Sequence, residues 1–253
     1  KIALLFAGQG AQQPGMMREL YEHYPEVRAI YDTASEALGR NIARLSFESG
    51  RDELALTRNT QPAVLAADLA AYAALRTFGI EADLAAGFSL GEYAALVAAG
   101  VIGLADAFRL VQVRADAMQR AVAPGEGAMA ALIGITARRA EQLCTEAGDV
   151  SCANYNSPVQ TVISGRAAAV DRALELADSY GIRGVKLEVS APFHSHYMSP
   201  AAEELRLALN LVQLHDASMP VYMNVTARPL EEAGDVPDLL YRQAMSPIYW
   251  QQT

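Results

Sequence analysis

A chain of 253 residues, 52% hydrophobic, is long enough for one large domain or for a domain carrying a smaller insert. Its net charge of -9 argues against a binder of nucleic-acid phosphates, and no apolar run is long enough to span a membrane. Cys144 and Cys152 are too few for a disulfide framework or a structural zinc site, and nothing at the N-terminus looks like a signal peptide, so the expected setting is the cytoplasm.

Ile2 to Phe6 is a continuous apolar run that predicts a buried strand, stopped at Gly8. Gly8-Gln9-Gly10-Ala11-Gln12-Gln13 shares glycines with a dinucleotide fingerprint, but Gln stands in the sixth place and a loop follows, so nucleotide binding is rejected. Gln9 at a strand end can instead put its N–H into a site; a plain turn is the blander alternative. Val27, Ile30, Tyr31, Ala34 and Leu38 share one face of a helix over 25–38, and 41–58 predicts short, charged helical turns. Asn59 or Thr60 is expected to cap the next helix, with Pro62 in its first turn and an end near Phe78. Gln61 is then either an N-terminal turn residue or a substrate-site amide.

Ala82 to Phe88 leads into Gly87-Phe88-Ser89-Leu90-Gly91, a G-x-S-x-G, and a helix over 92–99 leads out. A serine on a sharp strand-to-helix turn is held exposed, with glycines leaving room for the backbone and an approaching acyl group. The N–H of Leu90 can donate to a developing oxyanion. A helix N-cap is the bland reading of Ser89, but two glycines between strand and helix favour a nucleophile.

A helix over about 104–122 carries Arg109 and Arg114 on different faces; taken alone, Arg114 reads as a surface or ion-paired arginine. From Ala123-Pro124-Gly125 the texture changes. Strands near 128–133, 150–155, 159–164 and 185–189, with helices near 137–147 and 167–180, form a split βαβ pattern. This predicts a ferredoxin-like subdomain over 124–189, inserted between 1–123 and 190–253. Asn154 and Asn156 fit turn roles there. A helix from Ser199, a returning strand over 220–225 and a helix over 235–245 close the chain, whose abrupt end leads us to expect a further C-terminal helix.

A serine hydroxyl needs a base. Of the four histidines, His23 and His215 lie in charged, exposed segments, whereas His194 and His196 follow a strand and a proline. His194 is the better base, because Pro192 and Phe193 give it a partly dry wall. No carboxylate between Ser89 and His194 stands in a convincing strand-end loop, and a backbone carbonyl can accept the imidazole N–H, so a dyad is the simpler reading.

These residues resemble one family, the malonyl-CoA:acyl carrier protein transacylases and the acyltransferase domains of fatty-acid and polyketide synthases. The resemblance spans nearly the whole chain. It rests on Phe6-Ala7-Gly8-Gln9-Gly10, Thr60-Gln61-Pro62-Ala63, Gly87-Phe88-Ser89-Leu90-Gly91-Glu92, and Val113-Arg114 with Met118 and Gln119. It continues through Ala153-Asn154-Tyr155-Asn156-Ser157-Pro158, Phe193-His194-Ser195 with Met198, and Asn224-Val225-Thr226. The resemblance implies an α/β fold, an α/β-hydrolase-like core with a ferredoxin-like insert, and ping-pong transfer of malonyl from malonyl-CoA to a holo acyl carrier protein. It implies Ser89 and His194 as the catalytic pair, Gln9 and Leu90 as the oxyanion hole, and Arg114, Gln61, Phe193 and Asn154 as substrate-binding residues. It further implies a monomer with no cofactor and no metal, a histidine oriented by a backbone carbonyl near Pro247-Ile248-Tyr249-Trp250, and malonyl selectivity through Phe193 and Leu90. Phe88 departs from the family, many of whose members have histidine there, and Tyr249 stands where some have Gln or Arg. A serine thioesterase or esterase of related fold, a domain cut from a polyketide synthase, and a non-catalytic docking domain are the competing expectations.

Overall fold

The computed structural model describes residues 1–189 and 191–253 as a mixed α/β protein with two four-stranded sheets. In chain order the elements are β1 (Ala3–Phe6), α1 (Arg18–His23), α2 (Pro25–Leu38), α3 (Ile42–Glu48), α4 (Arg51–Ala55), α5 (Thr57–Thr77), β2 (Leu84–Gly87), α6 (Gly91–Ala98) and α7 (Leu104–Arg120). There follow β3 (Gly127–Ile133), α8 (Ala137–Ala147), β4 (Val150–Ser157), β5 (Gln160–Arg166), α9 (Ala167–Ser179), β6 (Arg183–Lys186), α10 (Ser199–Leu209), β7 (Val221–Met223), β8 (Arg228–Pro229) and α11 (Val236–Met245). Among the described residues no helix is long and apolar enough to cross a membrane.

Contacts divide the chain into two compact units. The first is Lys1–Asp116 with Leu207–Met223 and Arg228–Pro237. Its sheet runs β1-β2-β7-β8, the first three strands parallel, with Phe6 beside Gly87. Parallel neighbours need a crossover, and α1 to α5 supply it between β1 and β2. The alanine-rich α5 buries Ala63, Leu65, Ala66, Leu69 and Ala70, small side chains that allow close packing. The second unit is Ala117–Arg206 with Asn224–Ala227 and Asp238–Thr253. Its sheet runs β4-β5-β3-β6, antiparallel throughout. Leu132, Ile163, Leu143 and Val170 form its core with α8 and α9, and the free thiols of Cys144 and Cys152 sit inside it. The segment 124–189 drawn from the sequence lies in this unit, which also holds 117–123 and the loop carrying His194. The expected loop and core boundary at Ser190 falls outside the described residues.

Several boundaries differ from the sequence expectation, each for a physical reason. Helix α5 starts at Thr57, so Asn59 and Thr60 are not its cap and Pro62 lies inside it. Pro62 cannot bond the Arg58 carbonyl. The Arg40 guanidinium takes that carbonyl at 2.7 Å, and the Gln112 side-chain amide reaches it at 3.5 Å. The Thr60 hydroxyl meanwhile donates to the Leu54 carbonyl at 2.6 Å. Strand β6 begins two residues before the expected 185–189 and ends at Lys186; its residues are all exposed on an edge strand, where hydrophobicity carries no register signal. Helix α1 went unpredicted; no side chain caps it and none of its residues is buried.

Candidate active site

At the C-terminal end of β2 the chain turns through Phe88, Ser89 and Leu90 into α6. Gly91 N–H donates to the Phe88 carbonyl at 2.9 Å and Glu92 N–H to the Ser89 carbonyl at 3.2 Å, closing the first turn. Ser89 has φ 53, a left-handed backbone that costs a non-glycine residue about 1–2 kcal/mol. Such strain persists where packing over-determines it. Phe88 N–H is held by the Phe6 carbonyl of β1 at 3.0 Å, and a Cβ on Gly91 would lie 2.4 Å from that same oxygen. The serine therefore sits where two parallel strands end side by side, the usual ligand-facing edge of an open α/β sheet.

Around Ser89 the first unit builds one chain of side-chain hydrogen bonds. Arg114 donates from Nη2 to Ser89 Oγ at 3.0 Å and from Nη1 to Gln61 Oε1 at 2.8 Å. Gln61 Nε2 reaches Gln9 Oε1 at 3.4 Å, and Gln9 Nε2 reaches Thr57 Oγ1 at 3.4 Å. Arg114 is 2% exposed and Gln61 1%, so the bland reading of Arg114 as a surface arginine is corrected. Burial holds the Arg114 guanidinium below its ordinary pKa, offset by Tyr93 and Glu92. The guanidinium carbon lies 5.7 Å from the centre of the Tyr93 ring, and burial pushes that phenol's pKa up. Tyr93 and Glu92, both fully buried, are the site residues the sequence reading missed. For Arg114, the signal of burial was positional. Ala107, Leu110, Val111 and Ala117 are buried on α7, and Arg114 falls on that stripe at helical spacing.

Among the described residues no backbone carbonyl accepts the N–H of Gln9 or of Leu90, the two amides expected to form an oxyanion hole. Just before Gln9, the Ala7 N–H donates to Asp68 Oδ1 at 3.3 Å, while Asp68 Oδ2 is buried without a partner among the described residues. Burial pushes the Asp68 carboxyl up to about 7, against the opposing pull of the Ala7 N–H. The folded state then binds more protons than the unfolded state between the ordinary carboxylate range and about 7, so stability falls as pH rises through that window. Asp68→Asn is expected to raise the thermal midpoint by a few degrees at pH 8 and to leave it nearly unchanged at pH 4. A larger gain at pH 4 than at pH 8 would contradict this assignment.

In the second unit, His194 is 5% exposed and also left-handed, at φ 57. Its Nδ1 lies 2.8 Å from the carbonyl oxygen of Gln243. A carbonyl only accepts, so Nδ1 carries the proton and Nε2 of the neutral ring keeps its lone pair. Gln243 lies in the last turn of α11, where carbonyls have no helical partner. The orienting group is thus a backbone carbonyl, upstream of the Pro247–Trp250 stretch. Ser195 Oγ donates to the Pro192 carbonyl at 2.6 Å and tightens the loop. A Cβ on Gly127 would lie 2.3 Å from the Pro192 ring, so the loop is seated directly on β3. Phe193 is 7% exposed; Asn154 lies within β4 rather than in a turn, bridged to Ile248. His23, His196 and His215 are exposed. The first unit thus holds Gln9, Gln61, Ser89, Leu90 and Arg114, and the second holds Asn154, Phe193 and His194. Among the described residues no group of three or more His, Cys, Asp or Glu is placed to hold a metal ion.

A family model described as the acyl transferase domain matches residues 3–253. The chain is 45% identical over 258 residues to a malonyl CoA-acyl carrier protein transacylase of Bacillus subtilis strain 168, covering 100% of this chain and 81% of that protein. A solved structure of a malonyl CoA-acyl carrier protein transacylase from Coxiella burnetii superposes with a TM-score of 0.97 at 39% identity, covering 99% of this chain and 81% of that one. A malonyl-transacylase in complex with its type II PKS acyl-carrier protein gives 0.95 at 38% identity, over 99% and 82%.

Proposed function

Because the chain belongs to the acyl transferase domain family, we propose that it carries a malonyl group from malonyl-CoA to the phosphopantetheine thiol of a holo acyl carrier protein, through an ester on Ser89. The observation that carries this reading is the buried Arg114 guanidinium bonded to Ser89 Oγ. A cation fixed beside the nucleophile suits an acyl group that ends in a free carboxylate, which it grips through two parallel hydrogen bonds.

In this reading His194 Nε2 takes the Ser89 proton as Oγ bonds to the thioester carbon. The N–H groups of Gln9 and Leu90 receive the oxyanion. The C–S bond then breaks, and CoA leaves as the thiol with the proton from the imidazolium. The carrier thiol reverses these steps, giving its proton to His194, taking the malonyl group and returning the proton to Ser89. Asn154, Gln61 and Phe193 line the acyl group, and the bulk of Phe193 disfavours a branched α-carbon. No resident cofactor is needed. The accompanying fold reading is an α/β-hydrolase-like core of 1–123 and 190–253 with a ferredoxin-like insert at 124–189; the β-α-β-β-α-β order and the β4-β5-β3-β6 sheet support it. A cytoplasmic monomer in fatty-acid biosynthesis completes the proposal.

Intact mass after incubation with malonyl-CoA tests it. A malonyl adduct is expected that persists in water and is discharged by holo carrier protein. Fast hydrolysis without carrier would make the protein a thioesterase, and no adduct would leave it a docking domain. Arg114→Ala is expected to shift the malonyl-to-acetyl ratio of kcat/KM toward acetyl by about 100-fold, since a site built to pair a charged group discriminates strongly against its absence. An unchanged ratio would remove the carboxylate clamp.

A further inference from the structure

Both terminal nitrogens of the Arg114 guanidinium donate to neutral oxygens. Nη1 is on Gln61 Oε1 at 2.8 Å and Nη2 on Ser89 Oγ at 3.0 Å. A carboxylate gripped bidentately by this edge takes the places of those two neutral oxygens, and as an anion it is the stronger acceptor. We infer that Arg114 is a gate on the nucleophile as well as a clamp: the substrate carboxylate, by drawing the guanidinium onto itself, releases Ser89 Oγ for attack.

The inference deepens the malonyl-transfer reading and rests on it for the identity of the carboxylate. Its chemistry is local. A hydroxyl oxygen has two lone pairs, and one of them accepts from the Arg114 guanidinium. That charge-assisted bond, inside a site where Arg114 is 2% exposed and Ser89 8%, draws electron density from the oxygen that must attack. Tyr93 packs its ring against the guanidinium and Gln61 holds the other nitrogen, so the cation has a defined resting place and does not drift off by itself. An acyl group without a carboxylate leaves the bond in place. Discrimination against acetyl then appears in the acylation rate as well as in binding.

The test uses the full chain and a small uncharged serine reagent, diisopropyl fluorophosphate, with labelling of Ser89 followed by intact mass. Formate, which can pair with the guanidinium while adding only one carbon, is titrated at constant ionic strength against chloride. Wild type is expected to label about tenfold faster in saturating formate, the factor that a charge-assisted bond can impose. Arg114→Met, which keeps the volume without the donors, is expected to label fast and to ignore formate. No acceleration by formate in wild type, or slower labelling in Arg114→Met, would overturn the gate, the second result making Arg114 an activator. If Arg114→Met fails to fold, the wild-type titration decides alone. A malonyl adduct without a formate response sinks the gate only; a formate response without a malonyl adduct sinks the malonyl reading and leaves the gate.

Discussion

Ser89→Ala is expected to abolish the acyl-enzyme and to lower transfer by about 10^4-fold or more, and His194→Ala to cost a similar factor. The informative measurement is the double variant. A nucleophile and its base act as one device, so removing both is expected to cost little more than removing the worse one alone. Multiplying penalties would mean that the two residues work independently and would sink the dyad. His194 enters this experiment already oriented: the Gln243 carbonyl fixes the protonated nitrogen as Nδ1. A carbonyl orients the ring without bringing a carboxylate's charge to Nδ1, which in the proposed reaction favours return of the proton to the leaving thiol.

The elbow was legible in the sequence because its signal is local. A strand, a turn and a helix follow one another, and glycine, serine and glycine are spaced along them. The β-α-β-β-α-β order was legible for the same reason, since each element carries its own periodicity. What escaped was set by distant partners. The start of α5 depends on Arg40 and Gln112 reaching the carbonyl that Pro62 leaves open, a compensation no window of sequence contains. Strand β6 pairs through its backbone with β3 while its side chains stay exposed. The burial of Arg114 was not legible from spacing, because a single arginine in an apolar stripe looks like noise until the stripe is known to be buried; the family resemblance alone named it as a substrate-binding residue. Its neighbours Gln61 and Ser89 lie far away in the chain and near it only in the fold.

Gly87→Ala and Gly91→Ala are expected to be as damaging as loss of the serine, through packing rather than chemistry. Neither glycine has a positive φ; the left-handed residue of the turn is Ser89 itself. What the glycines supply is absence of bulk. A Cβ on Gly87 would stand 1.9 Å from the Gly91 carbonyl carbon and 2.4 Å from Glu92 N. A Cβ on Gly91 would stand 2.4 Å from the Phe6 carbonyl oxygen and 2.6 Å from that of Ala7. All of these neighbours are backbone, so no side chain can swing aside. The strand end, the first turn of α6 and the loop toward Gln9 must separate instead, and with them the Leu90 and Gln9 amides. Overpacking of this kind costs about 3 kcal/mol or more, roughly 6–12 °C in thermal midpoint for a chain of this size. Gly234, with open space around its Cβ direction, provides the control; Gly234→Ala is expected within about 0.5 kcal/mol of wild type. Thermal unfolding together with the malonyl-adduct assay checks the argument. Normal stability and normal acylation in Gly87→Ala would show that the elbow yields without cost, and that these glycines are not what holds Ser89 in its left-handed turn.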